Sequence, residues 1–445
     1  MNTLTTLRNQ FAGKRILVVG LGFNGGGVGL VNFFTSLESH VTITDNKTKE
    51  ELESSLIQIK SSDVTLKLGG HSQEDFLYAD YIFKGPSVPW NMPYIVEAEK
   101  RGIPVEMEAS FFASICPAPI VGVTGTRGKS TTSSIIYQLL LDNGYRTHLG
   151  GNVSQVSTIS LLNDLDNRSV VVLELSSWQL SGFHRRKISP HVAVLTNLYP
   201  DHLNFYHNMD AYFYDKKAIY QYQKAGDVFV YHKLLEPLLD KKEIKAKPLT
   251  FDAKTFSEQL INLRGEHNYA NAGAALKVSE AFNIDIVQAM KSIRKFAGLP
   301  YRQQIIRKMD RLIFINDTSS TTPVAAVQAI KSFSDKPIIQ FLGGNAKRLP
   351  TDELLHELEK VEHIVLLAGS FTDEIIDRLR ELYPEKLSPI YDNLSEAVRE
   401  GIRLAKIMNT ETYLLFSPGA TSFAMFKNEF HRGDEFNRIV LGIKE

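Results

Sequence analysis

The chain has 445 residues, 43% of them hydrophobic and 22% charged, which is enough for about three globular domains. Lys plus Arg and Asp plus Glu both number 50, and this balance argues against the broad basic surface with which proteins bind nucleic acids or membranes. The single cysteine, Cys116, excludes an intrachain disulfide and no apolar run approaches the roughly 18 residues of a membrane span, so we expect a cytoplasmic protein.

The first predicted unit is a strand, a glycine-rich turn, a helix and a second strand. An apolar run at residues 15–19 predicts a buried strand, and the turn at residues 20–25 follows it directly. The second strand ends at Asp45. These are the parts of a Rossmann dinucleotide-binding unit, in which a strand-end acid bonds the ribose. Taken alone, this segment predicts NAD binding.

A second glycine-rich turn has the sequence Thr-Gly-Thr-Arg-Gly-Lys-Ser-Thr-Thr and lies between an apolar run and a helix that begins near Lys129. Glycines let backbone N–H groups crowd around phosphate oxygens, and the helix N-terminus adds partial positive charge. The Lys129 amine can reach the β/γ-phosphates and the Ser130 hydroxyl can hold Mg²⁺. The turn therefore predicts ATP binding. Val123 stands where the usual G-x-x-x-x-G-K-[ST] pattern has its first glycine, which indicates a variant loop.

A carboxylate lies at the end of the next predicted strand, where the apolar residues 170–173 lead into Glu174. An acid at the carboxyl end of a strand, beside a phosphate loop, is well placed to bind Mg²⁺ directly or through water. Glu174 is therefore the second predicted metal ligand.

The phosphate loop resembles the T-G-T-x-G-K-[ST] loop of the Mur ligases, the ATP-dependent amide-forming enzymes of peptidoglycan precursor synthesis. Other stretches agree with that family. They are E-x-S-S-x-Q-L from Glu174, T-N-x-x-x-D-H-L around His202, M-x-x-Y-x-x-x-K ending at Lys216, L-x-G-x-H-N-x-x-N-A around Asn268 and F-x-G-L-P-x-R ending at Arg302. The resemblance covers nearly the whole chain.

The resemblance implies an α/β fold in three domains. Residues 1–115 would form a Rossmann-like domain that binds a UDP-linked substrate in place of NAD. Residues 116–297 would form a central P-loop-type ATPase domain with a parallel sheet. Residues 298–445 would form a C-terminal Rossmann-like domain that binds the amino acid.

By the same resemblance, several side chains of the first two domains would bind the UDP-linked substrate. Phe23 and Asn24 would line the site, and Asp45 and Asn46 would meet the uracil. Ser87 lies in a Gly-Pro-Ser-Val-Pro turn that takes the place of the family's S-P-G-[IV]-P diphosphate turn, with a different residue order. The remaining residues of this set are Asn152, Ser176 and Gln179.

The resemblance also assigns catalytic and nucleotide-binding residues. His202 would bind Mg²⁺, and Lys216 would capture CO₂ and become a carbamate that holds the second of two Mg²⁺ ions. Burial would favour the neutral amine that this capture needs, and Lys217 is the alternative one residue along. The catalytic residues are then Lys129, His202 and Lys216, and the metal ligands are Ser130, Glu174, His202 and Lys216. The ATP-binding residues are Gly125, Thr126, Gly128, Lys129, Ser130, Thr131, Asn268, Asn271, Arg302 and Asp317.

The C-terminal part departs from the D-glutamate-adding branch of the family at the proposed amino-acid site. Ser319 stands where that branch has lysine, Tyr301 replaces a histidine and Gln304 replaces a glutamate. A carboxylate buried without a cation is costly, so Lys347 and the adjacent Arg348 are candidate substitutes. The residues implied for the amino acid are Thr321, Lys347, Ser422 and Phe423.

The ending at residues 417–436 resembles the D-glutamate-adding branch. The resemblance therefore implies that ATP phosphorylates the alanyl carboxylate of UDP-N-acetylmuramoyl-L-alanine and that glutamate's amine attacks the acyl phosphate. We expect small-molecule partners only and a monomer. Two alternatives stay open: a ligase of the same superfamily that adds L-glutamate or another amino acid, and an NAD-dependent oxidoreductase or non-catalytic nucleotide-binding regulator. A folylpolyglutamate-type synthase is disfavoured because it has no counterpart of the N-terminal Rossmann unit.

Overall fold

The computed structural model describes residues 3–23, 25–153, 157–202, 205–260, 263–422 and 425–443. The chain divides into two compact units. The first comprises Met1–Glu258 and Ala270–Ile293, and the second comprises Gln259–Tyr269 and Arg294–Glu445. The first unit holds two β-sheets and the second holds one, which confirms the α/β class. The expected domain borders near residues 115 and 297 stay a prediction.

The first sheet has five parallel strands in the order β3-β2-β1-β4-β5. Strands β1 to β5 are Arg15–Val19, His40–Asp45, Val64–Leu68, Tyr81–Lys84 and Val105–Glu106. Helices α1 to α6 are Thr3–Phe11, Gly26–Ser36, Glu53–Leu56, Gln73–Tyr78, Pro93–Lys100 and Glu108–Ile115. The strand order reverses between β1 and β4, so the loops after these strands open the crevice in which doubly wound sheets bind ligands.

The second sheet has six parallel strands in the order β11-β10-β9-β6-β8-β7. Strands β6 to β11 are Ile120–Thr124, Arg146–Gly151, Ser169–Glu174, Val192–Leu195, Val228–His232 and Lys247–Phe251. Helices α7 to α11 are Lys129–Asp142, Ser177–Arg186, Met209–Lys217, Glu266–Ala281 and Ile286–Lys295. Strands β6, β8 and β9 are neighbours, so the loops that leave their carboxyl ends meet at one edge. The predicted phosphate loop is the first of these loops.

The third sheet has the order β12-β13-β17-β14-β15-β16, and only its edge strand β12 runs antiparallel to its neighbour. Strands β12 to β17 are Gln304–Met309, Leu312–Asn316, Ile338–Gly343, His363–Leu367, Leu387–Tyr391 and Thr412–Phe416. Helices α12 to α16 are Pro323–Ser332, Asp352–Glu357, Ser370–Leu382, Leu394–Met408 and Glu429–Leu441.

Successive residues of β13 alternate between two hydrophobic cores. Ile313 and Ile315 pack in one core, and Leu312 and Phe314 pack in the other. Because side chains point alternately to the two faces of a strand, helices cover both faces of this sheet. Within the described ranges, no helix has the length and apolar character needed to cross a membrane.

Candidate functional site

The turn between β6 and α7 needs glycine at two positions. Gly125 has φ 149° and Gly128 has φ 82°, values that residues with side chains rarely adopt. A Cβ on Gly125 would lie 1.9 Å from Thr196 Oγ1, and one on Gly128 would lie 2.4 Å from Asn271 Oδ1. Asn271 is thus brought against the phosphate loop, and Thr132 Oγ1 also donates to its Oδ1 at 3.1 Å.

The phosphate loop is bonded to the loop that follows β9. The Thr126 N–H donates to Asn197 O at 3.1 Å, and the Tyr199 N–H donates to Thr126 Oγ1 at 2.9 Å. The Arg127 N–H donates to Asn197 Oδ1 at 2.8 Å. These bonds fix the stretch that carries His202 beside the phosphate loop, and the bond from Arg127 explains why an Asn lies at position 197.

The Lys129 amine lies over its own loop, where Nζ donates to the carbonyl oxygens of Gly125 and Thr126, both at 3.0 Å. Ser130 and Thr131 follow it in the first turn of α7, where backbone N–H groups have no carbonyl partner within the helix. A phosphate placed at this turn would meet the lysine, the helix N-terminus and the Ser130 hydroxyl together.

Lys216 is buried beneath the phosphate loop, with 1% of its surface exposed. Its Nζ donates to Gly125 O at 3.0 Å, and the Tyr212 ring centroid is 4.7 Å away. Burial lowers the pKa of Lys216 well below its usual value, and the positive charge of Lys129 lowers it further. Burial and the neighbouring charge therefore both favour the neutral amine. The alternative, Lys217, pairs with Glu243 at 3.2 Å.

His202 lies in the left-handed region with φ 53°, an uncommon conformation that often marks functional positions. Its backbone N–H donates to Asp201 Oδ1 at 2.9 Å, and its ring centroid is 4.9 Å from that of Trp178. Burial lowers the pKa of His202, the charge of Lys129 acts in the same direction, and Asp201 opposes them. These effects favour the neutral imidazole, which is the form that binds metals.

Glu174 ends β8 and is only 4% exposed. It is paired in register with Val123 of β6, so it lies beside the start of the phosphate loop. The Asn152 backbone N–H donates to Glu174 O at 2.7 Å, and Asn152 Nδ2 lies 3.4 Å from Glu174 Oε1. The predicted residues Asn152 and Glu174 are therefore neighbours at this edge of the sheet.

Ser176 and Gln179 form a capping box at the start of α8. The Gln179 N–H donates to Ser176 Oγ at 3.2 Å, and the Ser176 N–H donates to Gln179 Oε1 at 3.0 Å. Such reciprocal bonds satisfy helix N–H groups that lack partners. Both side chains, which the resemblance assigns to substrate, have this local role in the structure.

The donor set around the phosphate loop fits magnesium carried by a nucleotide. Among the described residues, no group of three or more His, Cys, Asp or Glu side chains is arranged to hold a metal ion. Ser130, Glu174, His202 and a carbamate on Lys216 would instead supply separate oxygen and nitrogen ligands. Mg²⁺ commonly keeps waters and phosphate oxygens and takes only one or two protein ligands. We therefore find the residues suited to Mg²⁺ bound with ATP.

Asp45 holds the first glycine-rich turn in place. It is 7% exposed, and its carboxylate accepts the N–H of Leu21 at 2.9 Å and that of Lys47 at 3.0 Å. Phe23 is 53% exposed in the same turn, while Asn46 and Ser87 are exposed in the loops after β2 and β4. The remaining predicted residue of this set, Asn24, lies outside the described residues.

A carboxyl group that the sequence prediction missed lies against the first turn of α2. A Cβ on Gly26 would be 2.6 Å from Glu108 Oε2. The Ser157 hydroxyl at 3.0 Å and the Ile159 N–H at 3.1 Å donate to Glu108 Oε1, and burial raises the pKa of Glu108 to about 7. In Rossmann dehydrogenases a pyrophosphate lies at this helix start. Glu108 therefore lies where the pyrophosphate of such a dinucleotide would bind.

In the second unit, Asp317 is fixed by two donors. The Ser417 hydroxyl donates to its Oδ2 at 2.7 Å and the Gln303 N–H donates to its Oδ1 at 3.0 Å. Burial raises the pKa of Asp317 to about 7, although the charge of Arg302 opposes this shift. Asn268 is 5% exposed and its Nδ2 donates to Arg264 O at 2.7 Å.

The loops after β13, β14 and β17 bring together the residues expected to bind the amino acid. Lys347 Nζ donates to Thr321 Oγ1 at 3.2 Å. Ser319 does not replace the missing cation, since its hydroxyl donates to Tyr301 O at 2.7 Å. Ser422 is 2% exposed, and its hydroxyl has no hydrogen-bond partner in the part of the chain that the structure describes. Phe423 lies outside the described residues.

A buried arginine ties two of these loops together. Arg432 is 1% exposed and donates to Thr318 Oγ1 at 2.9 Å, to Thr318 O at 2.8 Å and to Ala420 O at 3.0 Å. The sequence shows Arg432 only as part of the family's ending, and nothing local reveals that it joins residues more than 100 positions apart.

Comparisons with known proteins agree with this arrangement. Residues 14–106 match the family model described as Mur ligase MurD-like, N-terminal domain, and residues 123–260 match the one described as Mur ligase middle domain. A curated relative, the "UDP-N-acetylmuramoylalanine--D-glutamate ligase" of Roseiflexus sp. (strain RS-1), is 32% identical over 97% of this chain and 99% of its own length. The relative of the same name from Borreliella afzelii (strain PKo) is 34% identical over 97% of this chain and 98% of its own length.

A solved structure shares the fold. UDP-N-acetylmuramate-alanine ligase MurC from Thermotoga maritima has a TM-score of 0.60 to this chain at 17% identity, and the match covers 97% of this chain and 100% of that one. At this identity the likeness concerns the fold alone.

Proposed function

The chain belongs to the Mur ligase family, and from that premise we propose that it joins D-glutamate to UDP-N-acetylmuramoyl-L-alanine. It is an ATP-dependent ligase that forms an amide bond in peptidoglycan precursor synthesis. The observation that carries the proposed chemistry is the buried amine of Lys216, whose Nζ donates to the carbonyl oxygen of Gly125 in the phosphate loop at 3.0 Å.

The proposed reaction activates a carboxylate before the amide forms. The γ-phosphoryl group of ATP passes to the alanyl carboxylate, which gives an acyl phosphate and ADP. The amine of D-glutamate then attacks the acyl carbon, phosphate leaves from the tetrahedral intermediate, and the nitrogen loses a proton. Bound Mg²⁺ neutralises the phosphate charge that builds up during transfer.

The residues around the phosphate loop have separate tasks in this proposal. Lys129 and the N–H groups of the first turn of α7 bind the phosphates and stabilise negative charge at the transferring group. Ser130 and Glu174 would hold one Mg²⁺, and His202 with the carbamate on Lys216 would hold a second. The glycines allow the backbone to approach the phosphates closely.

The carbamate would form from the chain's own amine. The neutral Lys216 nitrogen attacks CO₂, an N–C bond forms, and one proton passes to solvent, which leaves an anionic oxygen ligand. Because desolvation lowers the pKa of Lys216, it favours the reactive free amine.

We propose that the amino acid binds at the loops after β13, β14 and β17. The positive charge of Lys347 beside Thr321 suits a carboxylate, and so does the Ser422 hydroxyl, which has no hydrogen-bond partner among the described residues. Because Ser319 is turned toward the carbonyl of Tyr301, a second candidate stays open: a ligase of the same superfamily that adds L-glutamate or another amino acid.

An assay of phosphate release distinguishes the two candidate activities. The chain is incubated with ATP, Mg²⁺ and UDP-N-acetylmuramoyl-L-alanine, and D-glutamate and L-glutamate are offered separately. We expect phosphate release only with D-glutamate. Release with L-glutamate alone would favour the second candidate, and no release with a panel of amino acids would contradict ligase activity on this substrate.

A further inference from the structure

An arginine lies in the phosphate loop, two residues before Lys129. Arg127 occupies the position that the family's T-G-T-x-G-K-[ST] pattern leaves open. Its side chain is exposed, and within the described residues its guanidinium makes no hydrogen bond and no ion pair. A positive charge that has no such partner and lies on a phosphate loop is available to a ligand.

The backbone of Arg127 is bonded at both polar atoms to the loop that follows β9. Its N–H donates to Asn197 Oδ1 at 2.8 Å. Its carbonyl oxygen accepts from the Thr196 hydroxyl at 2.6 Å and from Asn197 Nδ2 at 3.1 Å. The side chain therefore extends from a fixed point, which lowers the entropy lost when the guanidinium binds a ligand. Because these bonds use only backbone atoms of Arg127, replacing its side chain should leave the loop in place.

The residues beside Arg127 include those proposed to hold the second Mg²⁺. Thr126 Oγ1 lies 3.3 Å from Tyr212 Oη. The Tyr212 ring centroid lies 6.3 Å from that of His202 and 4.7 Å from Lys216 Nζ. Burial lowers the pKa of His202 and raises that of Tyr212 to about 12, and the positive charge of Arg127 acts to lower both. The guanidinium therefore lies near enough to this group to act on charge that develops there.

Asp201 is the nearby acid that would otherwise neutralise Arg127. Its Oδ1 accepts the N–H of His202 at 2.9 Å, and its Oδ2 lies 3.8 Å from His202 Nε2. Both carboxylate oxygens thus face His202, and no ion pair joins Asp201 to Arg127. The charge of Arg127 is therefore not used by this acid.

A guanidinium matches a phosphoryl group better than a lysine amine does. Its planar fork carries several N–H donors, stays protonated and can donate parallel hydrogen bonds to phosphate oxygens. During transfer, negative charge spreads over the equatorial oxygens of the phosphoryl group. A pre-organised donor that meets this charge stabilises the transition state more than it stabilises bound ATP.

We propose that Arg127 is a further catalytic residue, whose guanidinium binds the γ-phosphoryl group while it passes from ATP to the alanyl carboxylate. This step rests on the proposed function. The bond between the γ-phosphorus and the ADP oxygen breaks, and a bond between phosphorus and a carboxylate oxygen forms. Arg127 donates hydrogen bonds to the equatorial oxygens and neither gains nor loses a proton.

Steady-state kinetics tests this role with Arg127→Ala. We expect kcat to fall at least about 100-fold, the cost of losing one donor that stabilises a transition state, and the affinity for ATP to stay within about threefold. A wild-type kcat in Arg127→Ala, or a loss confined to ATP affinity, would overturn the proposal.

Arg168→Ala is the matched control for this measurement. Arg168 is also an exposed arginine of the first unit. It directly precedes β8, so it lies at the edge of the second sheet opposite to the phosphate loop. We expect Arg168→Ala to keep the wild-type kcat.

Two further measurements separate a catalytic contact from a structural effect. Free guanidinium ion, added far below denaturing concentration, should restore part of the activity of Arg127→Ala. Arg127→Lys keeps the charge but not the planar fork, so we expect its kcat to lie between those of Arg127→Ala and the wild type. If Arg127→Ala does not fold, Arg127→Lys decides the matter, and a wild-type kcat in that variant would overturn the role of the guanidinium.

ADP with aluminium fluoride imitates the phosphoryl group in transit, and it separates this proposal from the proposed function. With Mg²⁺ and UDP-N-acetylmuramoyl-L-alanine present, the wild type should bind ADP at least about tenfold more tightly when aluminium fluoride is added, and Arg127→Ala should lose this gain. A gain that depends on Arg127 in a chain that does not ligate D-glutamate would keep the role of Arg127 and lose the proposed function. Ligation of D-glutamate with an equal gain in Arg127→Ala would keep the proposed function and lose the role of Arg127.

Discussion

At the scale of single residues, the amine of Lys216 determines the chemistry of the proposed site. It is 1% exposed, and its Nζ contacts the carbonyl oxygen of Gly125 at 3.0 Å. A charged lysine would be costly there unless it were paired, so burial shifts the equilibrium toward the neutral nucleophile. Lys217, the next residue, faces Glu243 and has an ordinary ion pair.

Replacing Lys216 with methionine should remove the carbamate and lower the turnover at least about 100-fold, in the range seen when one group that stabilises a transition state is lost. Lys217→Met is the matched control, and we expect it to retain activity within a factor of about three, since exposed ion pairs contribute little. Carbon-13 NMR in labelled bicarbonate should show a carbamate signal in the wild type and in Lys217→Met. A carbamate signal that persists in Lys216→Met would refute the assignment.

Asp317 gives a pH-dependent contribution to stability. Its folded-state pKa is about 7 because of burial, whereas an unfolded aspartate titrates near ~4. Between these values the folded state binds more protons than the unfolded state, so stability falls as pH rises from about 4 to 7. The destabilisation at pH 8 is on the order of 3 kcal/mol relative to pH 4.

Asp317→Asn should remove this dependence, because the amide is isosteric and neutral. We expect the melting temperature of the variant, relative to wild type, to be higher at pH 8 than at pH 5. Thermal denaturation at both pH values measures the difference. If the variant and the wild type differ in melting temperature by the same amount at both pH values, Asp317 does not titrate in this range.

At the scale of elements, the sequence predicted the strand–glycine turn–helix units because their signals are local. The runs that became β1 and β6 are continuous apolar stretches, and the helix expected near Lys129 begins at that residue. Glu108 at the start of α2 and Arg432 between two loops were not predictable in the same way. Both act through contacts with residues far along the chain, which a single sequence does not reveal.

At the start of α8, the sequence prediction overlooked a local structural role. The S-x-x-Q pattern of a capping box is visible in the sequence at Ser176 and Gln179, but the family's motif assigns both residues to the substrate. The structure shows both side chains bonded to the helix start. A local hydrogen-bonding role and a substrate role are compatible only if the cap opens or shares its atoms.

The phosphate loop can be tested with two glycines that have the same backbone strain. Gly128 has φ +82° and Gly144 has φ +85°, but a Cβ on Gly128 would lie 2.4 Å from Asn271 Oδ1 whereas one on Gly144 would meet nothing within 4 Å. Each alanine variant should lose about 1–2 kcal/mol from the left-handed backbone. Only Gly128→Ala should also displace Asn271 and weaken ATP binding, by about tenfold or more.

Calorimetric titration with Mg²⁺ and ATP measures this difference. We expect Gly144→Ala to bind ATP as tightly as the wild type. Equal ATP affinity in the two variants would show that the close approach of Asn271 to the loop is not needed for nucleotide binding.

At the scale of the whole molecule, the proposed roles are divided between the two units. The phosphate loop and Lys216 belong to the first unit. Lys347 and Ser422, which we propose for the amino acid, belong to the second. Substitutions of Lys347 or Ser422 should therefore change the KM for glutamate with little effect on the binding of ATP phosphates.

Lys347→Met and Arg348→Met compare the two cations that could replace the lysine missing at position 319. Because Lys347 donates to Thr321 Oγ1 at 3.2 Å, we expect Lys347→Met to raise the KM for glutamate by about 30-fold or more, the cost of losing a charge-assisted bond. Arg348→Met should leave the KM for glutamate within about twofold of the wild-type value. Steady-state kinetics at varied glutamate concentrations measures the KM of both variants. A larger rise in KM for Arg348→Met than for Lys347→Met would assign the role to Arg348.

The fate of one oxygen atom tests the central claim, which is that ATP activates the alanyl carboxylate as an acyl phosphate for attack by D-glutamate. UDP-N-acetylmuramoyl-L-alanine labelled with ¹⁸O in its alanyl carboxylate is incubated with the chain, Mg²⁺, ATP and D-glutamate, and the released phosphate is analysed by mass spectrometry. We expect one labelled oxygen in each phosphate, because the carboxylate oxygen that is phosphorylated leaves with the phosphorus. Amide product accompanied by unlabelled phosphate would contradict the acyl-phosphate route.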